Sequence, residues 1–160
     1  MVNIKQSFRT GFSFGVTSGI ITTLGLMVGL HSGTHSKSAV IGGILVIAVA
    51  DALSDALGIH ISEESHQAHT SKETWEATIS TFFSKFLVAL TFIIPVLFFP
   101  LSAAIFVAIV WGLLLIGVLS FYIAKQKNER AQKVIFEHLL VAILVVIVSH
   151  YIGDLTTTLG

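Results

Sequence analysis

The chain has no cysteine, two prolines and only 11% charged residues among its 160. Without cysteine there is no disulfide, no thiolate ligand and no cysteine nucleophile, so a metal site must be built from oxygen or imidazole. The prolines, Pro95 and Pro100, stand together in IIPVLFFPLS, where the lost N–H groups break the helical ladder and predict a tight hairpin. Nine basic residues against nine acidic ones leave no formal net charge. With no dense basic patch and no alternation of aromatic and basic residues, nucleic acid is excluded as a partner. There is no glycine-rich phosphate loop and no hydrolase triad, so the chain does not read as an enzyme.

What is present is hydrophobicity, at 54% of residues, well above an ordinary soluble domain. Segments at about 10–30, 38–60, 79–99, 101–124 and 134–153 are each long enough to cross ~30 Å of hydrocarbon at 1.5 Å per residue. The predicted fold class is all-α, a polytopic membrane protein with five transmembrane helices in a single domain, residues 1–160, and a short acidic cytoplasmic loop over 61–78. The first run follows Lys5 and Arg9 as a secretory signal would. It is longer than a signal's apolar region and lacks a small-residue cleavage pattern, so it is read as a retained span. With the N-terminus in the cytoplasm, Lys5, Arg9, Lys72, Lys85, Lys125, Lys127, Arg130 and Lys133 fall on the cytoplasmic side and only Lys37 on the other. Basic residues favour the cytoplasmic face. Five spans then put the C-terminus on the opposite side.

Against this background the segment IAVADALSDALGIHISEES, residues 47–65, carries Asp51 and Asp55 inside an apolar run. A carboxylate at such depth costs about 2.5–3.5 kcal/mol on insertion scales and marks a functional site by default. Their i, i+4 spacing stacks them on one helical face, continued by Gly58 and Ser62. Two neighbouring carboxylates repel unless they share a proton or a cation, which points to a proton site, a metal site or both. Packing acids tied to hydroxyls or backbone are the plainer alternative.

The first span has Gly11, Gly15 and Gly19 in one row and Ser18, Thr22, Gly25 and Gly29 in the next. Such rows let helices approach closely and turn hydroxyls towards a polar cavity. With Gly42, Gly43, Ala48, Ala52 and Ala56 on the second span, helices one and two are expected to pack on each other or on a second copy. Counted from the cytoplasmic ends, Ser18 lies about 12 Å deep, Asp51 about 13 Å and Asp55 about 8 Å, so their polar atoms meet at one level. His60, Glu63, Glu64, His66 and His69 at and beyond the end of the second span offer imidazole and carboxylate, the ligands that suit manganese and ferrous iron, as a cytoplasmic collecting site. A solvated amphipathic linker explains them equally. At the opposite ends of the spans stand His31, His35, His150 and Asp154, placed to receive a released ion, while Glu137 and His138 read as snorkelling residues.

These residues resemble the vacuolar iron transporter family, five-helix carriers of ferrous iron and manganese. FGVTSGIITTLGLMVGL is similar to that family's G-V-S-D-G-L-T with its small-residue tail, and ADALSDALGIHISEES to its A-G-A-I-S-M-G-L-G-x-Y-L-x-x-x-S. PVLFFP resembles its P-L-L-P-Y corner, and HYIGDL its Y-x-x-G-x-L. The family's first-helix aspartate falls on Ser18, its second-helix glutamate on Ile47 and its methionine on Asp55. The long glutamate-rich metal-binding domain is missing, as in the short, nodulin-like branch.

The resemblance implies a homodimeric carrier that exports a divalent metal, iron or manganese, from the cytoplasm by proton antiport. Asp51 and Asp55 would be the ligands and the proton-exchanging groups, Ser18 and Thr22 the supporting oxygens, and the metal a substrate with no permanently bound cofactor. The readings from other classes are a non-transporting scaffold or assembly protein and a carrier of another cation or small solute.

Overall fold

The computed structural model describes residues 4–65 and 70–159. The described residues are helical, with no strand among them: α1 (Ile4–Thr34), α2 (Lys37–Val46), a π-helical turn (Ile47–Asp51), α3 (Ala52–Glu64), α4 (Ser71–Thr91), α5 (Ile93–Phe98), α6 (Leu101–Lys127) and α7 (Ala131–Thr157). Among the described residues, five stretches are long and apolar enough to cross a membrane: Gln6–Thr34, Lys37–Glu64, Ser71–Phe98, Leu101–Lys127 and Ala131–Thr157. The second comprises α2, the π turn and α3, and the third comprises α4 and α5.

Each boundary has a local cause. His35, at φ 51°, and Asn128, at φ 55°, take the left-handed conformation that ends α1 and α6, and asparagine tolerates it best after glycine. Pro95 lies inside α5, not at the corner. Having no N–H, it cannot continue the helical hydrogen-bond ladder, and the helix is interrupted at Phe92. The corner itself is Phe99–Pro100, both in extended conformation, with Pro100 preceding the first residue of α6. Thr70 and Glu73 form a reciprocal cap that starts α4: the Thr70 N–H donates to Glu73 Oε2 at 2.8 Å and the Glu73 N–H to Thr70 Oγ1 at 3.4 Å. The acidic segment 61–78, expected as a loop, is therefore helical at both ends, with α3 continuing to Glu64 and α4 beginning at Ser71. His66 and His69 lie outside the described residues.

Contacts divide the chain into two compact units, Met1–Gly19 with Leu45–Thr91, and Ile20–Ile44 with Phe92–Gly160. In the first unit small residues bring the helices together. Ala48, Ala52, Ala56 and Ala77 are buried, and the row Gly11, Gly15, Gly19 lies against Ala77, Thr81, Ser84 and Lys85 of α4. That row of the first span therefore packs on α4, while the first and second spans meet through Gly43. Hydroxyls of α4 reinforce the contact, Ser80 Oγ donating to the Phe8 carbonyl at 3.0 Å and Thr81 Oγ1 to the Gly11 carbonyl at 3.2 Å. In the second unit, Gly25 and Gly29 face Ser149, Gly153 meets the backbone of Gly29 and Gly33, and Gly43 of α2 receives the side chains of Leu26 and Leu30. Large apolar side chains such as Leu53, Leu57, Phe83, Phe106 and Leu144 point outward, as surfaces facing lipid do.

Candidate functional site

The π turn sets the geometry of the second span. The Ala52 N–H donates to the carbonyl of Ile47, five residues back, so the turn holds an extra residue and the register beyond it advances by about 100°. Asp51 is the last residue of that turn and Asp55 lies one helical turn later, on the side where this segment meets α4. Wide turns of this kind recur at functional sites because they reposition a side chain without ending the helix.

What faces the two acids is Lys85. Its Nζ lies 2.5 Å from Asp51 Oδ2 and 2.6 Å from Asp55 Oδ2, and it donates to Ser18 Oγ at 3.0 Å. Ser18 in turn donates to Asp55 Oδ2 at 2.5 Å. The lysine side chain is completely buried, while those of Asp55 and Asp51 are 20% and 36% exposed. The access gradient runs outward through Asp51. Space for the lysine stem comes from Gly19, where a Cβ would stand only 3.3 Å from Lys85 Cα and Cγ. Three helical segments, α1, α3 with its π turn, and α4, thus converge on one ammonium.

The sequence reading brought Ser18, Asp51 and Asp55 to one level, and the structure places them in one network. It assigned Lys85 to the cytoplasmic flank, and that is corrected. Lys85 sits fourteen residues beyond Ser71, about 21 Å along α4. The signal that could have found it is a lone cation six residues into the expected apolar span at 79–99, where burial demands a partner. Thr22, one turn beyond Ser18 on α1, belongs to the second unit.

The proposed collecting residues take separate places. His60 Nδ1 is 2.9 Å from Thr78 Oγ1, with its ring against Trp75 at 4.7 Å between centroids. Glu63 is buried and Glu64 exposed. Among the described residues no three histidine, aspartate or glutamate side chains are gathered to hold a metal ion, so a cation site there needs hydroxyl, carbonyl or water oxygens beside the carboxylates.

In the second unit, Ser32 Oγ is 2.5 Å from His150 Nδ1, His150 Nε2 is 3.4 Å from Asp154 Oδ2, and the rings of His31 and His35 are 5.4 Å apart. The Ser32 side chain is buried within α1. The serine, histidine and aspartate chain is a hydrogen-bonded link between α1 and α7. His138 likewise bonds Ser120 of α6 at 2.8 Å through Nδ1, and Glu137 pairs loosely with Lys133 at 3.9 Å on the surface. A comparison with protein families and with curated proteins finds no match for this chain.

Proposed function

We propose that the chain is a membrane carrier that exchanges a divalent cation for protons, with Asp51 and Asp55 as the cation's ligands and Lys85 as the internal cation that occupies them at rest. The observation that carries this reading is the single buried ammonium held between two carboxylates at 2.5 and 2.6 Å within apolar spans. Intramembrane ionisable groups that face one another mark ion and proton pathways. Two carboxylates and one ammonium leave the cluster with one net negative charge. A divalent cation on both acids with Lys85 neutral brings it to zero, so one proton leaves for each cation bound.

The ligand set is hard and oxygen-rich, which suits manganese and ferrous iron. The resemblance to vacuolar iron transporters supplies the choice of metal and the export direction. Without Lys85, the loop charges still divide as Lys5, Arg9, Lys72, Lys125, Lys127, Arg130 and Lys133 against Lys37, which supports a cytoplasmic N-terminus and a C-terminus on the other side. A second copy packed on the outward face of α3 would cover the partly exposed Asp51 and bring four carboxylates to a two-fold axis.

The competing reading is a scaffold in which the same cluster only ties helices together, and the complete burial of Lys85 favours it. Lys85→Arg separates the two. Arginine keeps its charge under all physiological conditions, so it holds both acids but cannot yield a proton. In proteoliposomes with a metal-sensitive and a pH-sensitive dye, the wild type should move manganese or ferrous iron with opposing proton flux. Lys85→Arg and the double variant Asp51→Asn, Asp55→Asn should not. Absence of flux in the wild type, or undiminished flux in Lys85→Arg, overturns the proposal.

A further inference from the structure

At the C-terminal end of α1, in the second unit, two histidines stand one turn apart. The His35 N–H donates to the His31 carbonyl at 3.0 Å, so the helical step between them is kept although His35 lies just beyond α1, and both imidazoles share a face. Their ring centroids are 5.4 Å apart with the planes tilted by 52°. Two imidazole nitrogens bound to one tetrahedral cation at ~2.0–2.1 Å hold their ring centroids about 5 Å apart. The observed spacing is close to that of a chelating pair.

His31 Nδ1 is buried and has no hydrogen-bond partner among the described residues, although a buried ring nitrogen ordinarily finds one. His150, within electrostatic reach of His31, is by contrast engaged at both nitrogens, with Ser32 and with Asp154. The partly exposed Asp154 carboxylate adds negative charge at this end of the unit, and the unpaired carbonyls that end α1 favour a cation near its last turn. Lys37 is directed instead to the carbonyls of Leu97 and Phe99, at 3.4 and 3.5 Å.

We infer that His31 and His35 form a binding site for an imidazole-seeking transition cation, of which Zn²⁺ is the representative. Imidazole suits zinc, copper and nickel, whereas manganese and magnesium prefer carboxylate and water. The site is thus chemically unlike the carboxylates of Asp51 and Asp55 and does not depend on transport through them. Among the described residues no third histidine, aspartate or glutamate is gathered with the pair, so water fills the remaining positions and the ion is exchangeable.

Isothermal titration of the untagged full chain in mild detergent with Zn²⁺ alone tests this. The wild type should bind one more Zn²⁺ per chain than His31→Ala or His35→Ala, or bind it more than tenfold tighter, since even an outer partner of a metal ligand is worth about 10–100-fold. His35 is exposed, so His35→Ala should melt as the wild type does without metal, and Zn²⁺ should raise the melting temperature of the wild type further than that of the variant. His150→Gln should keep the site, and Mn²⁺ binding should be the same in wild type and His35→Ala. Equal Zn²⁺ binding by wild type and His35→Ala, loss of the site in His150→Gln, or a loss of Mn²⁺ that parallels the loss of Zn²⁺ overturns the assignment.

Discussion

At the scale of single residues the three charges of the Lys85 cluster are not equivalent. Asp55 accepts from both Ser18 and Lys85 and is 20% exposed, whereas among the described residues Asp51 pairs with the lysine and is 36% exposed. Neutralising either acid leaves a balanced pair with the remaining one. Removing the lysine leaves two carboxylates with no counter-ion, and breaking a buried ion pair in that way costs about 3–5 kcal/mol. Asp55→Asn loses the charge assistance of two hydrogen bonds, about 1–3 kcal/mol, and Asp51→Asn loses less because solvent and headgroups screen it. Thermal unfolding in detergent should therefore order the variants Lys85→Met, Asp55→Asn, Asp51→Asn from least to most stable. A Lys85→Met protein as stable as the wild type would show that the ammonium does not hold these helices. The acids were legible in the sequence because charge inside an apolar run is conspicuous. Lys85 was not, because a cation some residues from the end of an apolar run also fits a snorkelling role, and only the packing against Gly19 and the two acids decides between them.

At the scale of elements, five long apolar helices were readable from composition and length, with boundaries short by several residues. The ends extend because caps such as Thr70 with Glu73 add turns that hydropathy does not register. What a glycine row packs against was not readable, since any helix with small residues offers a suitable partner. The structure pairs the row with α4, and Gly15 shows how closely. A Cβ there would lie 2.5 Å from the Thr81 carbonyl oxygen and would also strike Ser84 Oγ. Gly15→Ala gains about 1 kcal/mol of helix propensity at most, but the overpacking costs about 1–3 kcal/mol and pushes α1 off α4. Net destabilisation is expected, accompanied by loss of the Ser18 to Asp55 bond three residues further on. Gly58 of α3 has no atom within 4 Å of such a Cβ, so Gly58→Ala should be neutral or slightly stabilising. Paired melting curves of the two alanine variants check both signs. Equal melting temperatures would mean that α1 does not rest on α4 through this row.

At the scale of the whole molecule the open face of α3 acquires its meaning. Ser54 and Gly58 are exposed there, Leu53, Leu57 and Ile61 point outward, and Asp51 remains 36% exposed beside them. A carboxylate left towards lipid is unfavourable by a few kcal/mol, and a second copy placed on this face would remove that penalty. It would use small residues for close approach and leucines for packing. The partner face proposed here is one that the fold leaves open, whereas Gly11, Gly15 and Gly19 of α1 are already packed against α4 within the chain. Gly58→Leu puts a branched side chain where a monomer has open space, so the monomer should fold with an unchanged melting temperature at low concentration. The dimer should dissociate, because its backbones can no longer approach. Mass measurement by light scattering in mild detergent, alongside metal flux in liposomes, reads both consequences at once. Wild type at dimer mass, Gly58→Leu at monomer mass and a parallel fall in flux would support a shared four-carboxylate site. A wild type that stays monomeric in detergent and in lipid removes the dimer, and a Gly58→Leu protein that is monomeric yet transports normally shows that each copy works alone.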